Sequence, residues 1–270
     1  MYHLTFATEG RGAMFPSEAA RRSALLAIAA TCGPALLLHC LVDDHVHLLL
    51  YCDPARIGVL SRSVLRTLRA RAAAPIAPGW PRHADTRSYQ LWLVHYLLDQ
   101  PRKHGLGQHP ALWSGSAFQD LAGARVLPHY QPPFAEALPR WRRREAFVHV
   151  GLNPDPLQLL NDAGVLRLGL SRLVEAAASA CCADPALTGR APEVLAARRV
   201  AAQVAGQVGW TTSQISASLG VPPRTARRLT TAPADDALIA ATRRRLALEE
   251  RVASLPASTA KRVTAAAPPT

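Results

Sequence analysis

Two histidines one residue apart, in the stretch LVDDHVHLLL (41–50), are the first residues of this chain that could do chemistry. In a strand, side chains alternate between faces, so His45 and His47 point the same way and Val46 the other. Two imidazoles close together on one face are half of a divalent metal site. The spacing alone carries little weight, since 10 histidines in 270 residues give roughly 0.4 such pairs by chance. Further along, Tyr96 and Gln100 lie four apart on a helical stretch, hence one turn apart on one face. An ion held by His45, His47 and Gln100 would sit beside the Tyr96 hydroxyl. Two imidazoles and an amide oxygen carry no charge, so the full charge of a divalent ion remains to polarise a phosphate oxygen and favour phenolate over phenol. Free tyrosine, with a pKa of about 10, needs that help to act as a nucleophile at neutral pH. Attack on a phosphodiester leaves a 5′-phosphotyrosine ester and a free 3′ hydroxyl, and the ester conserves the bond energy for rejoining.

Those residues need elements to position them. Residues 2–8 alternate as a strand, and 16–33 read as a helix opened by Pro and Ser and closed by Gly33-Pro34. ALLLHCLV and HVHLLLYC flank Asp43-Asp44, which suits the tight turn of an antiparallel hairpin. Asp53-Pro54 starts a helix that buries Ile57, Leu60, Val64 and Leu68 and turns Arg62, Arg66 and Arg69 outward, as a solvated face or a rail for backbone phosphates. Residues 72–88, with three prolines, read as loop, and 88–100 as a helix that Pro101 ends or kinks. The pattern implies an α+β domain over 1–125, with helices on one face of a mainly antiparallel sheet.

Residues 126–154 are proline-rich and read as a linker, followed by a helical domain over 155–255. Within it, 197–229 has the form of a helix-turn-helix. Ile215 and Leu219 face its core, Gly220 makes the turn, and PPRTARRL opens a second helix with Arg224, Thr225, Arg227 and Arg228 outward. The tail, 256–270, is of low complexity and is expected to be disordered.

Composition narrows the partners. The formal net charge is +12, with nearly all the basic residues Arg, and no apolar run reaches the ~18 residues of a membrane span. A polyanion, nucleic acid above all, is the expected partner. The N-terminus starts directly on a strand pattern, without a leader. Five cysteines without a C-x-x-C pair read as buried thiols, so the expected compartment is the cytoplasm.

Taken together, these residues resemble a known family. DDHVHLLL is similar to the histidine–hydrophobic–histidine signature of the HUH single-strand DNA transposases. YLLDQPRKHGL (96–106) resembles the tyrosine helix of their REP-associated tyrosine transposase branch. MYHLTFATEGRGAMF is similar to that family's opening strand and LWSGSAF (112–118) to its Trp-Ser-x-Ser segment. The resemblance covers about residues 1–120. It implies a ferredoxin-like HUH fold, Tyr96 as nucleophile, His45, His47 and Gln100 as ligands of Mg²⁺ or Mn²⁺, hairpin-forming single-stranded DNA as substrate, and a homodimer. Asp85 interrupts the place where the family continues an apolar fourth strand. The C-terminal part resembles the DNA-binding domain of the bacterial replication initiator DnaA, an appendage of some of these transposases. VPPRTARRL lacks that domain's acidic and His recognition residues, so duplex DNA is the expected target without its sequence. Other classes compete: a DNA-binding regulator that does not cleave, and a metal-dependent hydrolase of small phosphoesters. Singly, His45, His47, Tyr96 and Gln100 have plain structural readings as polar or amphipathic residues; their joint order favours the nuclease.

Overall fold

The computed structural model describes residues 1–233 and 235–256, and the expected disordered tail lies almost wholly outside them. The chain divides into two compact units, the first made of 1–118 and 128–155, the second of 119–127 and 156–253. The α+β class is as expected.

The first unit holds a four-stranded sheet in the order β2-β3-β1-β4, from β1 (Tyr2–Ala7), β2 (Leu36–Leu41), β3 (His45–Leu50) and the two-residue β4 (Arg82–His83). All neighbouring strands are antiparallel. Between β1 and β2 runs α1 (Glu18–Cys32), whose N-cap Ser17 accepts from the Ala20 amide. Between β3 and β4 runs α2 (Pro54–Arg69), capped by Asp53 and buried through Ile57, Leu60, Val64 and Leu68 as the sequence predicts. These two helices pack on each other. On the sheet face made by Leu4, Phe6, Val46 and Leu48, all fully buried, they form the main core. Alternation sends His3, Thr5, His45 and His47 to the opposite face, where α3 (Arg87–Lys103) lies, capped by Thr86.

Helix α3 does not stop at Pro101. The proline costs one ladder bond, but the helix runs on to Lys103 because Pro101 sits in its last turn, where few bonds remain to lose. Asp85 falls in the connection before α3, which leaves β4 short.

The outer edge of β2 is closed by the chain itself. Leu41 donates to the Gly115 carbonyl and Ala117 to the His39 carbonyl, both at 3.0 Å, while the Trp113 indole donates to the Leu41 carbonyl at 2.8 Å. An open edge would be a template for aggregation, and this segment pairs it. A Cβ at Gly115 would meet the Leu41 oxygen at 2.1 Å, so only glycine allows the approach.

The linker expectation for 126–154 needs correction. Residues 128–155 pack into the first unit through α5 (Phe134–Ala137) and α6 (Arg143–His149). Leu138, Trp141, Phe147 and Val150 are buried there, the Phe147 ring sits 4.9 Å from Phe118, and the Tyr130 hydroxyl donates to the Leu37 carbonyl. The prolines signalled turns, but apolar residues between them gain more from burial than a solvated linker offers. A short α4 (Phe118–Leu121) leads into the second unit.

The second unit is helical: α7 (Asp162–Leu168), α8 (Leu170–Ala180), α9 (Pro192–Val208), α10 (Thr212–Leu219), α11 (Pro223–Thr231) and α12 (Asp236–Ala253). Its core is Ala- and Val-rich, including Ala197, Val200, Ala201 and Val204 of α9. The tightly paired side chains of Asp120 and Arg125 are buried in this unit. No described helix is long and apolar enough to cross a membrane. None of the five cysteines forms a disulfide, and four are buried.

Candidate functional site

The histidine pair is held by a clamped hairpin. Val42 donates to the His45 carbonyl across the Asp43-Asp44 turn, and the turn carbonyls accept from Met14 and Thr8. Arg21 of α1 reaches the same turn, pairing with Asp43 at 2.7 Å while its guanidinium lies 4.1 Å above the Trp113 ring. Three segments therefore fix the turn from which His45 emerges.

His45 and His47 do share a face, with ring centroids 4.6 Å apart, and each is 4% exposed. His45 Nδ1 lies 2.6 Å from Asp44 Oδ1. A carboxylate can only accept, so Nδ1 carries the proton and Nε2 keeps a free lone pair, the tautomer of a metal-ligating histidine. Burial pushes the Asp44 carboxyl up, but the hydrogen bonds and charges of His45 and Arg11 outweigh it and hold it below the usual carboxylate range. His47 Nδ1 lies 3.1 Å from both Thr5 Oγ1 and His3 Nε2. Its Nε2 is buried without a hydrogen bond. Burial first, then the neighbouring His3, His45 and His104, lowers His47 to about 2; a polar contact from Gln100 opposes this. Burial and Arg82 lower His3 to about 4. The His3 and His47 rings are therefore neutral at pH 7, the state in which an imidazole can ligate a metal.

Tyr96 joins the cluster from α3. Its ring meets His47 edge-on, with centroids 5.3 Å apart, and His3 at 6.2 Å. Trp92 stacks against it at 4.6 Å, Tyr89 stacks on Trp92 at 5.7 Å, and Lys103 Nζ lies 4.0 Å from the centre of the Tyr96 ring. Positions 89, 92, 96 and 103 recur on one helix face, so one surface of α3 builds this column.

Gln100 sits one turn beyond Tyr96, with its side chain in polar contact with His47. It is 1% exposed, and its amide nitrogen donates to the Tyr96 carbonyl at 3.0 Å. It does not line the cleft of about 590 Å³ that holds His45, His47 and Tyr96, whereas His104, one turn on, does. The His104 and His45 rings are 4.7 Å apart, and Asp44, His45 and His104 could bring ligand atoms within 4.8 Å of one another. The sequence reading missed His3, Thr5, Asp44, His104, Trp80 and Arg82; only the alternation of β1, which aligns His3 with Thr5, hinted at two of them.

The arginines divide. Arg62, Arg66 and Arg69 are exposed on α2, on the other side of the sheet from the cleft. They cannot hold a phosphate at Tyr96; Arg11 and Arg82 line the cleft instead. In the second unit, α10 and α11 are joined by Gly220–Pro222. Gly220 is left-handed at φ 60°, and Ser216 Oγ donates to the Val221 carbonyl at 2.6 Å. Ile215, Leu219 and Ala226 are buried; Arg224, Arg227 and Arg228 are exposed, and Thr225 is half-buried. None of these three arginines forms an ion pair with the described residues. No family model matches the chain, and neither does any curated protein or solved structure.

Proposed function

We propose that the first unit is an HUH-type, metal-dependent single-strand DNA endonuclease and strand transferase, of REP-associated tyrosine transposase descent, with Tyr96 as nucleophile. The observation that carries this reading is the Tyr96 ring packed against His47, in one cleft with His45 and His104. The β-α-β-β-α-β connectivity with sheet order β2-β3-β1-β4 supports a ferredoxin-like assignment.

The residues fit a divalent ion. His47 has a buried, orphaned Nε2, and Asp44 sets His45 in the ligating tautomer. His45 and His47 would hold Mg²⁺ or Mn²⁺, with the third donor from Gln100 in the last turn of α3 or from His104 at its C-cap. Imidazole nitrogens favour Mn²⁺ over the harder Mg²⁺. Bound there, the ion supplies Lewis-acid polarisation of a phosphate oxygen.

The chain's own residues do the remainder. Thr5 and His3 hold His47, and Trp92 backs the Tyr96 ring. The Tyr96 oxygen bonds to phosphorus as the bond to the 3′ oxygen breaks. The phenolic proton leaves to solvent, and the departing oxygen takes one up. Lys103 places its ammonium over the ring where negative charge gathers in that step. Arg224, Arg227 and Arg228 of the second unit would grip duplex DNA.

A hairpin-bearing strand labelled at its 3′ end, incubated with the protein and Mn²⁺ and then denatured, tests this. The expected result is label linked to wild-type protein and none linked to Tyr96→Phe. Tight binding without linkage identifies a non-cleaving DNA-binding regulator instead, and turnover of small phosphoesters without linkage a hydrolase.

A further inference from the structure

Trp80 is 84% exposed, the most exposed of the large hydrophobic side chains among the described residues, and it lines the cleft with His45, His47 and Tyr96. Exposure of a whole indole is an odd use of the most apolar area a residue can offer, unless something covers it. Its loop is not loose. Ala77 donates to the Ala7 carbonyl at 3.0 Å, Glu9 donates to the Pro75 carbonyl at 2.9 Å, and Thr8 bridges Ile76. A Cβ at Gly79 would meet the Thr5 oxygen at 2.3 Å and the Phe6 ring at 2.7 Å, so glycine lets the loop lie flat on β1 immediately before the tryptophan. Pro75, Pro78 and Pro81 remove further freedom. The indole is thus presented to solvent on a backbone fixed to the strand that carries His3 and Thr5.

Its surroundings say what covers it. Arg82, two residues on, pairs with His3 in the sheet and forms no ion pair among the described residues, and Arg11 lines the same cleft. Arg11 also reaches Asp44, at 3.4 Å, so Arg82 is the cation left for a ligand, and a flat apolar ring beside it matches a flat base attached to a phosphate. The cleft volume lies within the usual range for ligand sites, about 300–1,000 Å³.

We propose that Trp80 is a nucleobase-stacking subsite, which seats one unpaired base of the strand next to the phosphate facing Tyr96, with Arg82 on that strand's backbone. The proposal rests on the function given above and adds the basis for preferring single strands, because a base inside a duplex cannot leave its neighbours to stack on the indole. Trp80 acts in binding, and the chemistry stays with Tyr96.

The test uses the full chain, a fluorescein-labelled oligothymidylate, and the same strand annealed to oligoadenylate. Trp80→Ala should weaken single-strand binding about five- to a hundred-fold and leave duplex affinity unchanged. Trp80→Phe should recover most of the loss and Trp80→Leu little, since stacking needs a π face. Arg82→Ala should reduce the salt dependence of single-strand binding, while Trp80→Ala leaves that slope alone. Equal binding by Trp80→Ala and wild type, equal rescue by Leu and Phe, or a matching loss on duplex would each overturn the subsite. The phosphotyrosine assay separates the two readings. Adduct formation with Trp80-independent binding removes the subsite and keeps the nuclease. Trp80-dependent binding without adduct keeps the subsite and removes the nuclease.

Discussion

The cleft and the surface of α11 both gather basic side chains, and they use them in opposite ways. In the cleft, burial strips charge from His3 and His47, leaving lone pairs that can ligate. On α11 the side chains are exposed guanidiniums, which keep their charge in any setting and act on an anion through a field that salt screens. Desolvation therefore turns a basic residue into a ligand, and exposure turns one into an electrostatic handle. Mutations in the first region should change chemistry, and those in the second should change salt-dependent affinity.

The comparison breaks most completely if the cleft's supporting shell is removed. A chain ended after residue 135 loses Leu138, Trp141, Phe147 and Val150 from the first unit. Buried aromatics contribute about 3–5 kcal/mol each against a total stability of about 5–15, so this chain should not fold, whereas one ended after 155 should fold and form the adduct. Circular dichroism with the adduct assay measures both. Next in size, Tyr96→Phe should slow adduct formation at least about a thousand-fold with DNA affinity retained. Persistent adduct would move the nucleophile elsewhere, and Tyr51 is the poorer candidate because its hydroxyl is bonded to Glu136.

Mn²⁺ at a hundred times its dissociation constant should raise the thermal midpoint of the wild type by about 5–10 °C. His45→Ala and His47→Ala should abolish that rise. Comparing Gln100→Ala with His104→Ala in the same melt identifies the third donor, and a rise that survives in all four variants puts the ion elsewhere. Gly115→Ala should cost about 1–3 kcal/mol in urea denaturation through its clash with the Leu41 carbonyl, with duplex binding untouched. The smallest effects belong to α11. Arg224→Ala, Arg227→Ala and Arg228→Ala should each flatten the log–log salt dependence of duplex binding by about one unit, with stability within about 0.5 kcal/mol of wild type. A loss of adduct formation on oligothymidylate in these three would erase the division between the regions.

Much of this was legible in local pattern. Strand alternation put His45 and His47 on one face, helical spacing aligned Tyr96 with the turn of Gln100, and the Gly220 turn and buried Ile215 and Leu219 came directly from sequence. Such periodicities fix the direction of a side chain relative to its own element, over a few residues of chain. They do not say which element lies opposite. Thr5 faces His47 only because β1 pairs with β3 in one register, and His104 reaches His45 only because α3 continues past Pro101. Trp80 enters the cleft because Gly79 lets a proline-rich loop lie against β1, and the apolar residues of 128–155 found a core that the prolines around them did not announce. The sequence by itself determined which side chains could do chemistry. Tertiary structure decided which of them meet and which lose water, because register and burial depend on contacts between residues far apart in the chain.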